Sequence, residues 1–381
     1  MSTDERRNTT RRKSRKARRR RARKILLIIE IIVLIILLGA LYVMLKFGKI
    51  DFRDIGETVQ NEISDESKLT LKGYTNIALF GIDNRSNGNY DTGQSDVIMI
   101  CSINNDTKEI RLVSIYRDTL MDVDGNGKYR KANYAYARGG AKNAINMLNR
   151  NLDMDIKDFV TVDFNAVTEA VDAVGGIDLE ITDDEVNPPG HHPGINAYID
   201  EVVKVTGHKS SHVEAGTQHV DGVQATAYCR LRYTASMDFG RAARQRIVVQ
   251  KLLEKVRGAN VFELNSLVDA VFDDISTSYT AAELIQLASA VQDYSLAGTA
   301  GYPFTKKTDN VSKAIGDAVV PCTVDSNVKE LYKYLFGEQG HECSSTVSNI
   351  NAEIIGKTGF TEADAVEYDA SYEDASGTSV K

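Results

Sequence analysis

The chain has 381 residues, enough for one large domain or two ordinary ones, and its 42% apolar content supports a packed core, which excludes wholesale disorder. A net charge of −7 hides an asymmetry: residues 1–24 hold thirteen Lys/Arg against Asp4 and Glu5, or +11, so the other 357 residues carry −18. An acidic body of this kind excludes nucleic acid as a partner for the bulk of the protein.

Residues 1–24 read as a basic cytoplasmic tail and residues 25–47 as a single transmembrane helix. Ile25–Leu45 is almost entirely Ile, Leu and Val, and at about 1.5 Å per residue that length crosses a bilayer. Lys46-Phe47-Gly48-Lys49 offers no small-x-small cleavage site, so the stretch reads as an anchor and not as a removed signal peptide. The positive-inside rule then puts the folded body outside the cell membrane. Glu30 lies near the cytoplasmic end, where its carboxylate can snorkel to the headgroups. Beside a span, the Arg-rich tail serves topology and attraction to anionic lipid.

Residues 48–73 are polar and charged and read as an extracellular stalk. The body begins at residue 74. Thr75–Gly81 and Asp96–Ile103 read as strands buried on both faces, and Glu109–Tyr116 alternates as a half-buried strand. Asn104–Lys108 is a turn that makes the last two a hairpin. Ala141–Leu152 has the spacing of a one-sided helix; Phe159–Phe164 reads as a strand, Ala166–Val174 as a helix, and Ile177–Ile181 as a strand. Asn187–Asn196 is a Pro/Gly loop, and Arg241–Val256 and Ala281–Val291 are helices. This alternation predicts an α/β body with a central mixed sheet between helices. Residues 257–343 read as a C-terminal helical extension, and residues 344–381 as an acidic, disordered tail.

Of four cysteines, Cys101 and Cys229 sit in apolar runs and read as buried strand residues. In an oxidising exterior Cys322 and Cys343 are expected to form a disulfide.

Five charged clusters flank the apolar runs: Gly81-Ile82-Asp83-Asn84-Arg85, Gln94-Ser95-Asp96, Tyr116-Arg117-Asp118-Thr119, Arg230-Leu231-Arg232, and Gly240 to Gln245 with Arg241 and Arg244. Asp83 follows one buried strand and Asp96 precedes another. If those strands are neighbours their carboxylates converge at one sheet edge, a place where Mg²⁺ is held by single carboxylates, water and phosphate. Alone, each aspartate reads equally as a loop or helix cap. Arg230 and Arg232 alternate on one face of what reads as an extended segment, and Arg241 and Arg244 share a face near a helix start. The planar guanidinium fork suits phosphate oxygens, so the set reads as a pyrophosphate-and-metal site. A purely structural Arg117–Asp118 ion pair is the plain alternative.

Asp122 to Gly127 resembles the front of a calcium loop, but the twelfth position is Asn133 where a bidentate Glu is needed, so it reads as a turn. His191-His192 have no matched third ligand. No G-x-S-x-G or Walker A sequence is present.

At these residues the chain resembles the LytR-CpsA-Psr family of bacterial cell-envelope enzymes, from about Tyr74 to Val256. The motifs run in order: GIDNR, QSD, VSIYRDT, KANYAYARGG, VDAVGGIDLEI, GTQHVDGVQATAYCRLR and DFGRAARQR. The resemblance implies a three-layer α/β/α domain with a hydrophobic tunnel for a polyprenyl chain and a polar mouth for its pyrophosphate. It implies an Mg²⁺-dependent transfer of glycopolymers such as teichoic acid or capsule from a polyprenyl-pyrophosphate carrier to peptidoglycan. By motif, Asp83 and Asp96 would hold the Mg²⁺; Arg85, Arg117, Arg230, Arg232, Arg241, Arg244 and Gln245 would bind the pyrophosphate; Arg117, Asp118 and Asp96 would act in catalysis. The chain departs from the family in having Gln94 where Arg is common and Tyr116 where Pro is common. A polyprenyl-pyrophosphate hydrolase and a non-catalytic lipid-binding or regulatory membrane protein are the rival functions.

Overall fold

The strands expected near Thr75–Gly81, Asp96–Ile103 and Glu109–Tyr116 form the middle of a seven-stranded sheet in a computed structural model of the chain. It describes residues 48–82, 90, 93–233, 237–338 and 340–368. The elements begin β1 (Asp51–Phe52), α1 (Asp65–Lys72), β2 (Tyr74–Ile82), β3 (Ser95–Asn104), β4 (Glu109–Ile115), β5 (Leu120–Asp122), β6 (Tyr129–Lys131) and α2 (Asn133–Leu152). Next come β7 (Asp158–Val162), α3 (Phe164–Ala173), β8 (Ile177–Ile181), α4 (Asp183–Val186), α5 (Ile195–Thr206), β9 (Gly216–Val220), α6 (Gly222–Arg230), α7 (Met237–Gly258) and α8 (Val261–Val271). The last are β10 (Ile275–Thr277), α9 (Ala281–Ser289), β11 (Ser295–Tyr302), β12 (Lys306–Ser312), β13 (Gly316–Pro321), α10 (Val324–Phe336) and α11 (Ser345–Thr358).

The sheet order is β1-β10-β7-β2-β3-β4-β11. β2, β3 and β4 run antiparallel in turn, whereas β7 lies parallel to β2 and β11 parallel to β4, so the sheet is mixed. Side chains alternate along each strand. Ala78, Phe80, Ile98, Ile100 and Val113 therefore face one side, where α2, α10 and α11 cover them. Ile77, Cys101 and Leu112 face the other, against α7 and α9. Helices on both faces give the expected α/β architecture. A separate apolar cluster joins the β8–β9 hairpin to α3, α5, α6 and α7. Within α2, Gly139 and Gly140 interrupt the helix; Gly140 has φ +61°, a value glycine adopts without steric cost.

Several expectations need correction. Residues 257–343 are not a helical extension: β10 and β11 are strands of the central sheet, and β12 and β13 form a hairpin. β10 is only three residues long, and β11 (SLAGTAGY) and β12 (KKTDNVS) carry too few large apolar residues to announce strands. Residues 48–73 do not stand off as a stalk, since β1 pairs with β10, and Val59 N–H and Asn61 Nδ2 hydrogen-bond to α2. Residues 345–358 form α11, because Val347, Ile350 and Ile354 recur at helical spacing and are buried. Cys229 lies on helix α6, not on a strand. Cys322 and Cys343 are free thiols: Cys322 Sγ faces the Val320 carbonyl and Cys343 Sγ the Asp325 carbonyl, so the expected disulfide is not formed. The Asp122–Gly127 segment is a hairpin turn, in agreement with its sequence, with Asp122 Oδ1 accepting from Gly125 N–H at 2.9 Å. Among the described residues no helix is long and apolar enough to cross a membrane; the span over 25–47 and the tail over 1–24 lie outside them.

Candidate active site

A β-bulge positions Asp96. Along β2 and β3 the register steps from Gly81 opposite Val97 to Ile82 opposite Ser95, so Asp96 is the extra residue with no partner across the ladder. Its carboxylate accepts a charge-assisted hydrogen bond from Arg117 Nη1, just past the end of β4. Arg117 Nε lies 3.8 Å from Asp118 Oδ1, and Lys131 Nζ lies 3.5 Å from the same oxygen. Burial disfavours the Arg117 cation, yet Asp96 and Asp118 outweigh it and hold its pKa above the ordinary arginine value. Next to Arg117, the Tyr116 ring fits only because residue 301 is glycine. A Cβ there would sit 2.0 Å from the Tyr116 hydroxyl.

The first turn of α7 brings a second group. Asp238 and Arg241 are three apart on one helix face, with Arg241 Nη2 3.0 Å from Asp238 Oδ1. Arg232 Nε donates to the same oxygen at 3.3 Å. Burial opposes the Asp238 carboxylate, but Arg241 and Arg232 outweigh it and hold its pKa below the usual range. Arg241 is 6% exposed; burial lowers its pKa, opposed by Asp238 and aided by Arg117 and Arg232. A guanidinium stays charged in proteins even so. One turn further, Gln245 Nε2 donates to the Cys229 carbonyl at 3.2 Å.

Two cavities meet at these residues. The first, about 350 Å³, is polar at its base, with Asp96, Arg117, Asp118, Asp238, Arg241 and Gln245, and is walled by Tyr116, Phe239 and Tyr368. The second, about 580 Å³, runs between the sheet and helices α3, α6, α7 and α8. Leu79, Val97, Met99, Val160, Val248 and Leu252 line it, and Arg230 and Arg232 stand at its margin. Asp96, Arg241 and Gln245 line both.

Most of the sequence-derived set is brought together, with three qualifications of position. Arg230 is the last residue of α6 and not part of an extended segment. Its Nη2 pairs with Glu201 at 3.1 Å, its guanidinium lies 4.6 Å from the Phe164 ring centroid, and its Nη1 is buried with no hydrogen-bond partner among the described residues. Arg232 turns instead to Asp238, so these two arginines do not share a partner. Arg244 joins neither cavity: it is fully buried, 2.6 Å from Glu185 Oε1 on α4, and donates to the Leu231 carbonyl at 3.2 Å. Arg241 and Arg244 are offset by only about 60° around α7, and what parts them is their partners: Arg241 pairs with Asp238 beside the cavities, whereas Glu185 on α4 and the Leu231 carbonyl draw Arg244 into the packing interface. Asp83 and Arg85 lie outside the described residues.

Sequence reasoning missed Asp238 and Lys131, although Asp238 stood in the quoted DFGRAARQR motif between Arg232 and Arg241. It also missed the wall supplied by Thr308, Asp317 and Val319 of the β12–β13 hairpin. Gln94 Oε1 accepts from Asn133 Nδ2 at 3.4 Å, so the uncharged residue at that position makes a neutral contact.

The model of the LytR_cpsA_psr family matches residues 47–314. The TagU polyisoprenyl-teichoic acid–peptidoglycan teichoic acid transferase of Enterococcus faecalis (strain ATCC 700802 / V583) is 30% identical over 234 residues, 61% of this chain and 70% of that protein. The crystal structure of protein gbs0355 from Streptococcus agalactiae superposes with a TM-score of 0.57 at 23% identity, covering 74% of this chain and 94% of that one. The LytR-CPS2A-psr family protein YwtF (TagT) with bound octaprenyl pyrophosphate lipid superposes with a TM-score of 0.52 at 19% identity, covering 76% of this chain and all of that one. Those two likenesses concern the fold. The family model covers well over half of the sequence, and the chain belongs to the LytR-CpsA-Psr family.

Proposed function

We propose that the chain is a phosphotransferase that moves a glycopolymer, a teichoic acid, capsule or similar polymer, from a polyprenyl-pyrophosphate carrier onto peptidoglycan. The observation that carries this reading is the junction of an apolar cavity and an arginine-rich polar one at Asp96, Arg241 and Gln245. A pyrophosphate at that junction sends its lipid chain along the apolar cavity, whose volume lies in the range of enclosed ligand sites. Its charge meets Arg117, Arg232, Arg241 and the unpartnered Nη1 of Arg230. The relative from Enterococcus faecalis carries the name of that activity, and the YwtF structure holds a lipid of that class.

Phosphoryl transfer asks for positioning and charge neutralisation more than for covalent chemistry from the protein. The sugar hydroxyl approaches through the polar cavity and forms a new O–P bond at the glycopolymer-bearing phosphorus. The bridging P–O bond breaks, its electron pair leaves with polyprenyl phosphate, and the hydroxyl proton passes to a cavity carboxylate. Arg117 and Arg241 stabilise the charge that develops, and Asp96, Asp118 and Asp238 hold those guanidinium groups in place. The described residues lining the polar cavity include these carboxylates and no histidine or cysteine, the hard oxygen donor set that Mg²⁺ takes. Asp96, together with Asp83, would hold the ion, which when bound neutralises phosphate charge.

The basic tail and the apolar stretch over residues 25–47 anchor the chain in the cell membrane, with residues 48 onward on the outer side. The test supplies purified full-length chain with a polyprenyl-pyrophosphate-linked glycan and peptidoglycan oligomers in Mg²⁺. A covalent glycan–peptidoglycan phosphodiester is the expected product. Release of free phosphorylated glycan regardless of acceptor would mark a hydrolase instead, and no turnover with retained lipid would mark a binding protein.

A further inference from the structure

Away from the two cavities, three metal-ligating side chains converge where the N-terminal segment, the end of α2 and the turn before α11 meet. Asp153 caps α2 in the left-handed conformation (φ 54°), and its side chain and that of His341 are fully buried. An Asp153 carboxylate oxygen, a His341 ring nitrogen and Cys343 Sγ all lie within 4.8 Å of one another. His341 Nε2 is 3.4 Å from Asp153 Oδ2. That is long for a charge-assisted N–H···O bond, about 2.7–2.9 Å. It matches the edge of a tetrahedron whose metal–ligand bonds are about 2.0–2.1 Å, roughly 3.3–3.4 Å.

The surroundings hold these groups from behind. His341 Nδ1 is 2.9 Å from Ser67 Oγ, which lies 3.0 Å from Glu338 Oε1, and the His341 ring stacks on Tyr332 at 3.5 Å between centroids. Asp153 Oδ1 accepts from Asn61 Nδ2 and Ser344 Oγ, and Oδ2 accepts from Ser344 N–H. Outer hydrogen bonds of this kind orient histidine and carboxylate ligands. Among the described residues neither Asp153 nor Glu338 has a Lys or Arg partner, and His341 is the neighbour they share. Asp325 stands next to the group: Cys343 Sγ is 3.6 Å from its backbone carbonyl, and its Oδ1 is buried without a hydrogen-bond partner.

We propose that Asp153, His341 and Cys343 form a structural site for a borderline-soft divalent cation, Zn²⁺ by its mixed O/N/S ligands. Such a site ties the N-terminal segment, through Asn61 and Ser67, to the C-terminal part of the fold. Cys343 binds as the thiolate, releasing its proton to solvent as the ion enters.

The test uses the full-length, untagged chain, stripped with chelator and then titrated with Zn²⁺. One zinc per chain and a thermal midpoint several degrees higher than in chelator are expected, since a ligand that binds only the folded state stabilises it. Co²⁺ in place of zinc should give a thiolate-to-metal absorbance band. Cys343→Ser removes the sulfur while leaving the Asp153–His341–Ser67 hydrogen bonds intact. It should match the stripped parent in midpoint, lose the band, and bind zinc at least about tenfold more weakly. A stripped chain that takes up no zinc, or a Cys343→Ser variant that binds it as tightly as the parent, would overturn the site. The cluster would then be a hydrogen-bonded clasp of Asp153, His341 and Ser67.

Discussion

Arginines of identical chemistry divide in this chain by what surrounds them. Arg117 stands between Asp96 and Asp118 on the wall of the polar cavity, part of a preorganised charge array aimed into open space. Losing one such contact typically costs two to three orders of magnitude in turnover, so Arg117→Ala is expected to cut glycan transfer at least about a hundredfold while leaving the thermal midpoint close to that of the parent. Single-turnover product formation against the midpoint checks both halves. Arg244 predicts the reverse pattern. Its partner Glu185 has no exposed surface, and truncating one member of a buried pair leaves the other charged and desolvated, at a cost of about 3–5 kcal/mol. Arg244→Ala should therefore show up in denaturant unfolding, with any activity loss tracking the folded fraction. Arg241 and Arg244 read alike in sequence because both sit among small residues in GRAARQ. What separates them is the partner each one meets, which depends on tertiary packing. That Asp96, Arg117 and Arg241 belong together was legible because charge next to an apolar strand needs a counter-ion. Asp238 was not, because a single aspartate ahead of a helix reads as an ordinary cap.

Elements were legible in proportion to their apolar density. β2 and β3 carry apolar runs buried on both faces, β4 (EIRLVSI) alternates in sequence yet is buried over Leu112–Ile115, and the limits of all three match the sequence reading to within a residue or two. β11, with the sequence SLAGTAGY, carries a single large aliphatic side chain, Leu296, and owes its place to parallel pairing with β4. Such a strand is specified by its neighbour more than by its own residues. β12, with the sequence KKTDNVS, was hidden for the same reason. Helix α3 was readable from its period, and it supplies a test of the apolar cavity. Ala170 lines that cavity from α3, so Ala170→Trp places an indole in the space proposed for the polyprenyl chain. Lipid co-purifying with the chain, measured by mass spectrometry, should fall sharply in this variant. Far-ultraviolet circular dichroism should stay that of the parent. Undiminished lipid would remove the cavity from the lipid-binding reading.

The acidic body of the molecule has a consequence for its stability. Where α3 begins and β10 is entered, carboxylates gather. Asp163 is buried as the cap of α3 and its pKa is raised, chiefly by that burial. Glu169 is raised as well, first by burial. Asp274 is pushed up to about 6, by burial first and then by Asp163, Glu169 and Asp273. A carboxyl whose folded pKa exceeds its unfolded value of about 3.9 binds its proton more tightly in the folded state. Folding therefore gains stability as the pH falls through about 6 toward 4. Asp238 and Asp153 act in the opposite sense: their pKa values are depressed, so the stability they contribute holds above the unfolded value and is lost only as the pH drops below about 4. Together these shifts predict a thermal midpoint that rises from pH 7.5 to 5 and falls steeply below 4. Asp274→Asn, which removes the most strongly raised of the three, should flatten the upper limb of that profile while leaving the acid limb in place. A midpoint that declines steadily from pH 7.5 to 5 would show that the cluster is compensated by groups other than those that surround it here.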